Sequence, residues 1–320
     1  MSFKDIKGQD QPIQILKNYL IRGNTGGAYL FTGQEGIGKF LTAKTFAKAI
    51  NCLKDDHDAC GECASCRKIE KNEHPDIYFI EAQDSDVIKI EAIRELKRTV
   101  SLKPYEARKR VFAINDAHNL NAESANALLK VLEEPPCGNL IILVTSRPGL
   151  LFKTIVSRCR TIKFYPLARE GLKEMLFNSY RVDNNLAHFL AYFCEGRIGS
   201  ALKLNSADTL LHKNRVIDAL VSPDTRGLED FFTQEKAGLR AGLNIIAAYL
   251  RDIYLSKAGA DTMRLINIDR REKIAEAAQR FSFSQLDRML KFISNAVIYL
   301  EQNINKRLIF INLKEELWKR

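Results

Sequence analysis

No apolar run among the 320 residues approaches the ~20 that a membrane-spanning helix needs. The opening stretch MSFKDIKGQDQ lacks the positive-then-apolar order of a secretory signal. Together these absences predict a cytoplasmic protein that does not act at a membrane. Low-complexity segments and clear internal repeats are missing too, which excludes solenoids and tail-like linkers. The cysteines number seven, an odd count that argues against a disulfide framework in such a chain and points to metal or buried thiols. What is present fits a globular protein of two or three domains, with 46% hydrophobic and 28% charged residues. A formal charge of +10 and a pI near 9.2 favour acidic partners, DNA among them, although a solvated basic surface accounts for the charge equally well.

The chain is organised around Arg110 to Pro136, RVFAINDAHNLNAESANALLKVLEEPP. Val111 to Ile114 is a β-branched and apolar run of the kind buried on both faces of a sheet. It ends in Asn115 and Asp116, at the edge where a parallel α/β sheet presents groups to a ligand. A helix beginning near Asn121 or Ala122 then places Ala125, Leu128, Leu129 and Leu132 on one face, and Pro135-Pro136 stop it. An ordinary P-loop ATPase ends this strand in Asp-Glu, one carboxylate for the metal shell and one to activate water. Asn-Asp is a departure from that chemistry.

Upstream, a helix over residues 9 to 22 precedes a strand over Ala28 to Thr32. Gly33-Gln-Glu-Gly-Ile-Gly-Lys39 follows, and then a helix with Ala43, Phe46, Ala47 and Ile50 turned inward. Strand, glycine loop, lysine and helix are the context of a phosphate cradle, in which Gly33, Gly36 and Gly38 supply backbone N–H groups and Lys39 reaches the terminal phosphates. Residue 40 departs from the pattern, because Phe40 stands where a hydroxyl would hold magnesium. A phenyl ring ligates no metal, so a tight turn without ligand is the simpler reading and hydrolysis at this loop is not expected.

Cys60, Cys63 and Cys66 form two overlapping C-x-x-C steps, with Cys52 just upstream. Four thiolates suit a closed, structural zinc site. His57 in the intervening loop is the other donor available as fourth ligand, and a lone C-x-x-C could be a redox pair. Cys137, Cys159 and Cys194 are scattered and read as buried thiols. His74-Pro75-Asp76 leads into a strand over Ile77 to Glu81, an amphipathic helix starts at Lys89, and a strand over Leu140 to Thr145 follows. Thr145 ends that strand at the same sheet edge as Asn115. Ser157-Arg158-Cys159 precedes a last strand over Thr161 to Phe164. Alternating strands and helices imply a parallel sheet covered on both faces. Three short helices are expected over 168 to 206, and only helices over 208 to 320, the longest being Ala237 to Ala258 and Ser284 to Gln302. Arg270-Arg271 and Lys306-Arg307 read as solvated helix faces, and this region suits packing against other chains.

Three sets of residues carry a resemblance. They are Asn126-Ala-Leu-Leu-Lys130 running into Leu132-Glu-Glu-Pro-Pro136, the Ser157-Arg158-Cys159 triplet, and the cysteine cluster after the P-loop helix. On these the chain resembles the AAA+ clamp-loader subunits of bacterial DNA polymerase III, and His74-Pro75-Asp76 points to the delta-prime branch. The resemblance covers the whole length. It implies an α/β AAA+ P-loop module with a parallel sheet over 1–166, bearing a zinc insert at about 52–66. A helical lid over 167–207 and an all-α collar over 208–320 complete the expected architecture. It also implies a ring in which Arg158 reaches a neighbour's γ-phosphate as a trans-acting finger. Implied partners are the motor and clamp-opening subunits, the sliding clamp, and primed DNA through the complex. The sensor arginine of active relatives would fall near Gly199, which has no side chain. With Phe40, Asn115 and Asp116, that makes four weakened positions, arguing against hydrolysis at the chain's own site and against ATP or ADP as a resident cofactor. Two other readings are an autonomous AAA+ motor on DNA and a zinc-bearing nucleic-acid-binding protein outside any ring. Phe40 with Asn115 weighs against the first, and the helical C-terminal region against the second.

Overall fold

The computed structural model describes residues 1–82, 87–221, 235–302 and 304–318. They form two compact units. The first comprises Met1–Leu167 with a four-residue return at Arg197–Ser200, and the second comprises Ala168–Gly196 with Ala201–Arg320.

The first unit is built on five parallel strands in the order β2-β3-β4-β1-β5. In chain order these are β1 (Gly27–Thr32), β2 (Ile77–Ile80), β3 (Arg110–Ile114), β4 (Asn139–Thr145) and β5 (Arg160–Lys163). The connecting helices are α1 (Asp10–Ile21), α2 (Lys39–Ile50), α3 (Ala64–Glu70), α4 (Ile90–Val100), α5 (Ala122–Glu133) and α6 (Lys153–Val156). The near-continuous apolar runs follow from burial on both faces. Tyr29 and Phe31 of β1 pack with Ala43, Phe46 and Ala47 of α2, while Ala28 and Leu30 pack into the cluster on the opposite face that contains Ile93, Leu128 and Leu132. β3 and β4 alternate in the same way, Val111 and Ile142 on the α2 side and Phe112 and Ile141 on the other. Each such large side chain contributes about 1.5–3 kcal/mol by leaving water.

The His-Pro-Asp run explains how β2 and β3 are joined at their starts. Asp76 is fully buried and accepts N–H bonds from Tyr105 (2.9 Å), Glu106 (2.8 Å) and Ala107 (3.0 Å). It also pairs with the buried Arg110 guanidinium at 2.9 Å, and Arg110 donates onward to the carbonyls of Leu102 (2.8 Å) and Lys103 (2.9 Å). The loop entering β3 is therefore tied to the residue that enters β2.

In the second unit the chain is helical: α7 (Arg169–Tyr180), α8 (Asn184–Phe193), α9 (Ile198–Leu204, begun within the four-residue return), α10 (Thr209–Val221), α11 (Lys236–Lys257), α12 (Arg271–Arg280), α13 (Phe283–Glu301) and α14 (Lys306–Trp318). Leu239, Leu243, Ile246 and Tyr249 of α11 form its core with Leu286, Ile293 and Ala296 of α13. The division of this unit at residue 207 into lid and collar remains a proposal. Charges penetrate its interior in pairs. Lys213 is fully buried and donates to both Asp269 oxygens (2.7 and 2.6 Å), with its ammonium over the Phe189 ring. Arg270 departs from its expected place on a solvated face. Its side chain is largely buried and pairs through both terminal nitrogens with Asp218, because the turn before α12 aims it back at α10. Arg271 and Arg307 are exposed as expected.

Candidate functional site

The carboxyl ends of β1, β4 and β3 lie side by side, with Thr32 opposite Thr145 and Ile114 opposite Leu143. The edge brings together the P-loop, Thr145 and the Asn115-Asp116 pair. Gly33, Gly36 and Gly38 have φ of +146°, +76° and +94°, so the loop follows a path that L-residues resist. Gly38 caps α2, whose first residue is Lys39.

Lys39 is buried, and its ammonium donates to the carbonyls of Gly33 (2.8 Å) and Gln34 (2.5 Å) in its own loop. Burial pushes its pKa down to about 8, against the pull of Asp116 and Glu35 towards the charged form. Two of the three ammonium donors are therefore directed at carbonyls of the loop itself. Phe40 is half-buried and meets the Phe79 ring edge-on at 5.6 Å, near the end of β2. Phe79 also lies 5.5 Å from the Lys44 ammonium. The ring that replaces a hydroxyl is therefore used as packing.

On β3, the Asn115 N–H donates to Ile80 O at 2.8 Å, and Asp116 takes a left-handed backbone (φ +45°). The Thr145 hydroxyl accepts the Arg147 N–H (3.0 Å) and bonds with His118 Nδ1 (3.1 Å). His118 is a site residue that the sequence does not signal, since a histidine four residues after a strand carries no spacing pattern. Burial lowers its pKa, with Asp116 opposing, so the imidazole is neutral at pH 7.

Gly199 proves to be more than a missing side chain. Its N–H donates to Gly36 O at 2.7 Å, and a Cβ built there would lie 2.9 Å from that oxygen. Residues 197–200 thus seat on the glycine loop, where a Cβ at Gly36 would meet Ser200 Oγ at 2.4 Å and Ser200 N at 3.1 Å. Gly36→Ala is expected to destabilise the first unit by about 1–2 kcal/mol from backbone handedness, plus the displacement of Ser200. Urea unfolding checks this, and a midpoint equal to wild type would contradict it.

Arg158 follows α6. Its Nη1 donates to Thr154 O (3.0 Å) and its Nη2 to Glu133 Oε1 (2.6 Å), with about a third of the side chain exposed. Among the described residues these bonds go to α5 and α6, and none goes to the P-loop.

The four cysteines lie apart from this edge, at the end of α2 and around α3. The Sγ atoms of Cys52, Cys60, Cys63 and Cys66 are all within 4.8 Å of one another, whereas His57 is exposed and outside the cluster. Tetrahedral zinc–thiolate geometry needs sulfurs about 3.8 Å apart, from Zn–S bonds of about 2.3 Å, and Cys60 Sγ to Cys66 Sγ is 4.0 Å. Backbone N–H groups of Cys60, Cys63 and Cys66 donate to Cys52, Cys60 and Cys63 sulfurs at 3.4, 3.3 and 3.4 Å, the support that thiolates require. Burial acts to raise the Cys63 thiol pKa, but the backbone N–H groups of Leu53 and Cys66, with the neighbouring Cys66 and Cys60 thiols, bring it down to about 6, while burial pushes Cys66 up. A crowded set of that kind fits a divalent cation. Of the remaining thiols Cys194 is buried and Cys159 half-buried, but Cys137 is exposed, because the turn after Pro136 carries it out of the core.

A five-stranded parallel sheet in this order, with a glycine loop and lysine after β1 and helices on both faces, has the architecture of an AAA+ module. Residues 8–168 match the family model described as DNA polymerase III, delta subunit, and residues 218–314 match the companion model for the C-terminal part of the same delta subunit. The chain belongs to that DNA polymerase III delta-subunit family. It is 28% identical to DNA polymerase III subunit delta' of Bacillus subtilis over 93% of its own length and 92% of the relative's. It is also 38% identical to the tau/gamma subunit of Haemophilus influenzae, over 72% of this chain but only 34% of that protein. The crystal structure of a gamma subunit-related protein from Thermotoga maritima shares the fold, with TM-score 0.51 and 16% identity over 97% of this chain and 99% of that one. No helix among the described residues is long and apolar enough to cross a membrane.

Proposed function

We propose that the chain is a delta-prime-type clamp-loader subunit whose own nucleotide site is inactive and which lends Arg158 to a neighbouring ATPase. The observation that carries this reading is the division of labour between two cations. Lys39 is buried and bonded within its own loop, whereas Arg158, held by Thr154 and Glu133 at the surface, stands partly exposed after α6, within the sequence triplet that resembles a trans finger. Phe40 on Phe79 and Gly199 against Gly36 support the inactive side of the assignment. A guanidinium delivered across an interface would stabilise the charge that develops on transferring phosphate oxygens. The neighbours would be the motor and clamp-opening subunits, acting on a sliding clamp and primed DNA. Cys52, Cys60, Cys63 and Cys66 would hold zinc in a purely structural role.

The test is the clamp- and primed-DNA-stimulated ATPase of the reconstituted complex. With Arg158→Ala the interface facing this subunit should lose on the order of 10³ in rate, seen as a large drop in stimulated turnover. Lys39→Ala should change little. The reverse pattern would overturn the reading and make this P-loop a working site, as would Mg-dependent turnover by the isolated chain.

A further inference from the structure

The run Leu132-Glu-Glu-Pro-Pro136 is one of the features that mark the sequence, yet neither the nucleotide edge nor the metal cluster uses it. Glu133 is the last residue of α5, and Pro135-Pro136 follow the helix end. Its carboxylate takes the Arg158 Nη2 at 2.6 Å, while the Thr154 carbonyl takes Nη1. The guanidinium is thus bonded to a helix end and a carboxylate of its own subunit. Both side chains are partly exposed, 33% for Arg158 and 48% for Glu133. A pair of that kind is weak and exchangeable, and a phosphate in a water-poor interface competes with it favourably.

Resting on the reading of Arg158 as a trans finger, we propose that Glu133 restrains it. The carboxylate holds the guanidinium on its own subunit and releases it when a neighbour's nucleotide phosphate takes the carboxylate's place. One anionic acceptor is exchanged for another, so the arginine is never left without a counter-charge. Glu133 acts through Arg158 and is a positioning residue. Its effect belongs to the idle complex, before clamp and DNA bring the interface together.

Glu133→Gln keeps the shape and removes the charge at a half-exposed position. The assay is the ATPase of the reconstituted complex against ATP concentration, without and with clamp and primed DNA. Glu134→Gln serves as the neighbouring-charge control and Arg158→Ala as the finger control. The expected result is a rise in unstimulated rate with Glu133→Gln of up to about fivefold, the factor an exposed ion pair supports. The saturated stimulated rate should be unchanged and Glu134→Gln should match wild type. Glu133→Gln combined with Arg158→Ala should be no faster than Arg158→Ala alone. An unchanged unstimulated rate in Glu133→Gln would refute the restraint while the finger stands. A fall in stimulated rate would refute it too, making Glu133 a residue that aims the finger. If Arg158→Ala itself left every rate unchanged, the finger reading would fail first and take the restraint with it.

Discussion

Asp76→Ala lowers the stability of the first unit by about 3–5 kcal/mol, the range for leaving one half of a buried ion pair without its partner. The residue is fully buried, and its loss strands the Arg110 guanidinium together with the N–H groups of Tyr105, Glu106 and Ala107. Urea unfolding monitored on this unit should show a large drop in midpoint with similar m. Replacing both partners, Asp76→Leu with Arg110→Met, should cost less than the two single changes added together, because no charge is then left buried. The pH dependence carries a sign. Burial acts to raise the Asp76 carboxyl pKa, but the three N–H donors and Arg110 outweigh it and hold the group below the usual range. Its contribution is therefore complete above the unfolded pKa of about 3.9 and is lost as pH falls through the lower folded value. The gap between wild type and Asp76→Ala should stay constant from pH 5 to 8 and close in stronger acid. A gap under 1 kcal/mol at pH 7 would contradict the assignment of this cluster as the clasp between β2 and β3.

Zinc removal is expected to have an effect of similar size. A chelator should release about one metal ion per chain and lower the melting temperature of the first unit, whereas the per-molecule ATPase of complexes that remain assembled should be unaltered. Closed four-thiolate sites leave no position for a substrate. With free zinc at a thousand times its Kd, the metal contributes about 4 kcal/mol. The loss should spread, because the cysteine loop is joined to the rest of the unit. Asp58 accepts the Phe3 N–H at 2.9 Å, and the buried Lys48 ammonium bonds both Glu70 (2.5 Å) and the Met1 carbonyl (2.9 Å). Circular dichroism melts with and without chelator, paired with elemental analysis, decide the matter. Equal melting temperatures, or a purified protein with no zinc, would sink it.

Much of the fold was legible in the sequence because two-sided burial writes itself as unbroken apolar runs. β1, β3 and β4 begin and end within a residue or so of their expected bounds. The α11 and α13 helices fall within a residue of the stretches expected from periodicity. The start of α5 was legible as well, near Asn121 or Ala122; in the structure Asn121 is its cap and accepts the Ser124 N–H at 2.8 Å. Contacts between distant segments were not. Gly199 could be read as the absence of an arginine, but its bond to Gly36 spans more than 160 residues of chain and leaves no periodic trace. Glu133 and Arg158 both belong to marked motifs, yet nothing in their spacing says that one holds the other. His-Pro-Asp served as a marker of kinship, and only the folded chain shows Asp76 as a clasp. Arg270 and Cys137 depart from expectation for a related reason. The exposure of a single residue beside a turn depends on where that turn points.

The order of the strands also bears on how the chain is made. β1 leaves the ribosome early, but its hydrogen-bonding neighbours in the sheet are β4 and β5, the nearer of which begins about a hundred residues later. At about 5–20 residues per second, the apolar segment Ala28–Phe31 waits roughly 5–20 s for a pairing edge. In that interval the nascent chain carries an apolar strand without its sheet partners, the kind of segment that is open to aggregation until the strands ending at Thr145 and Lys163 have been made.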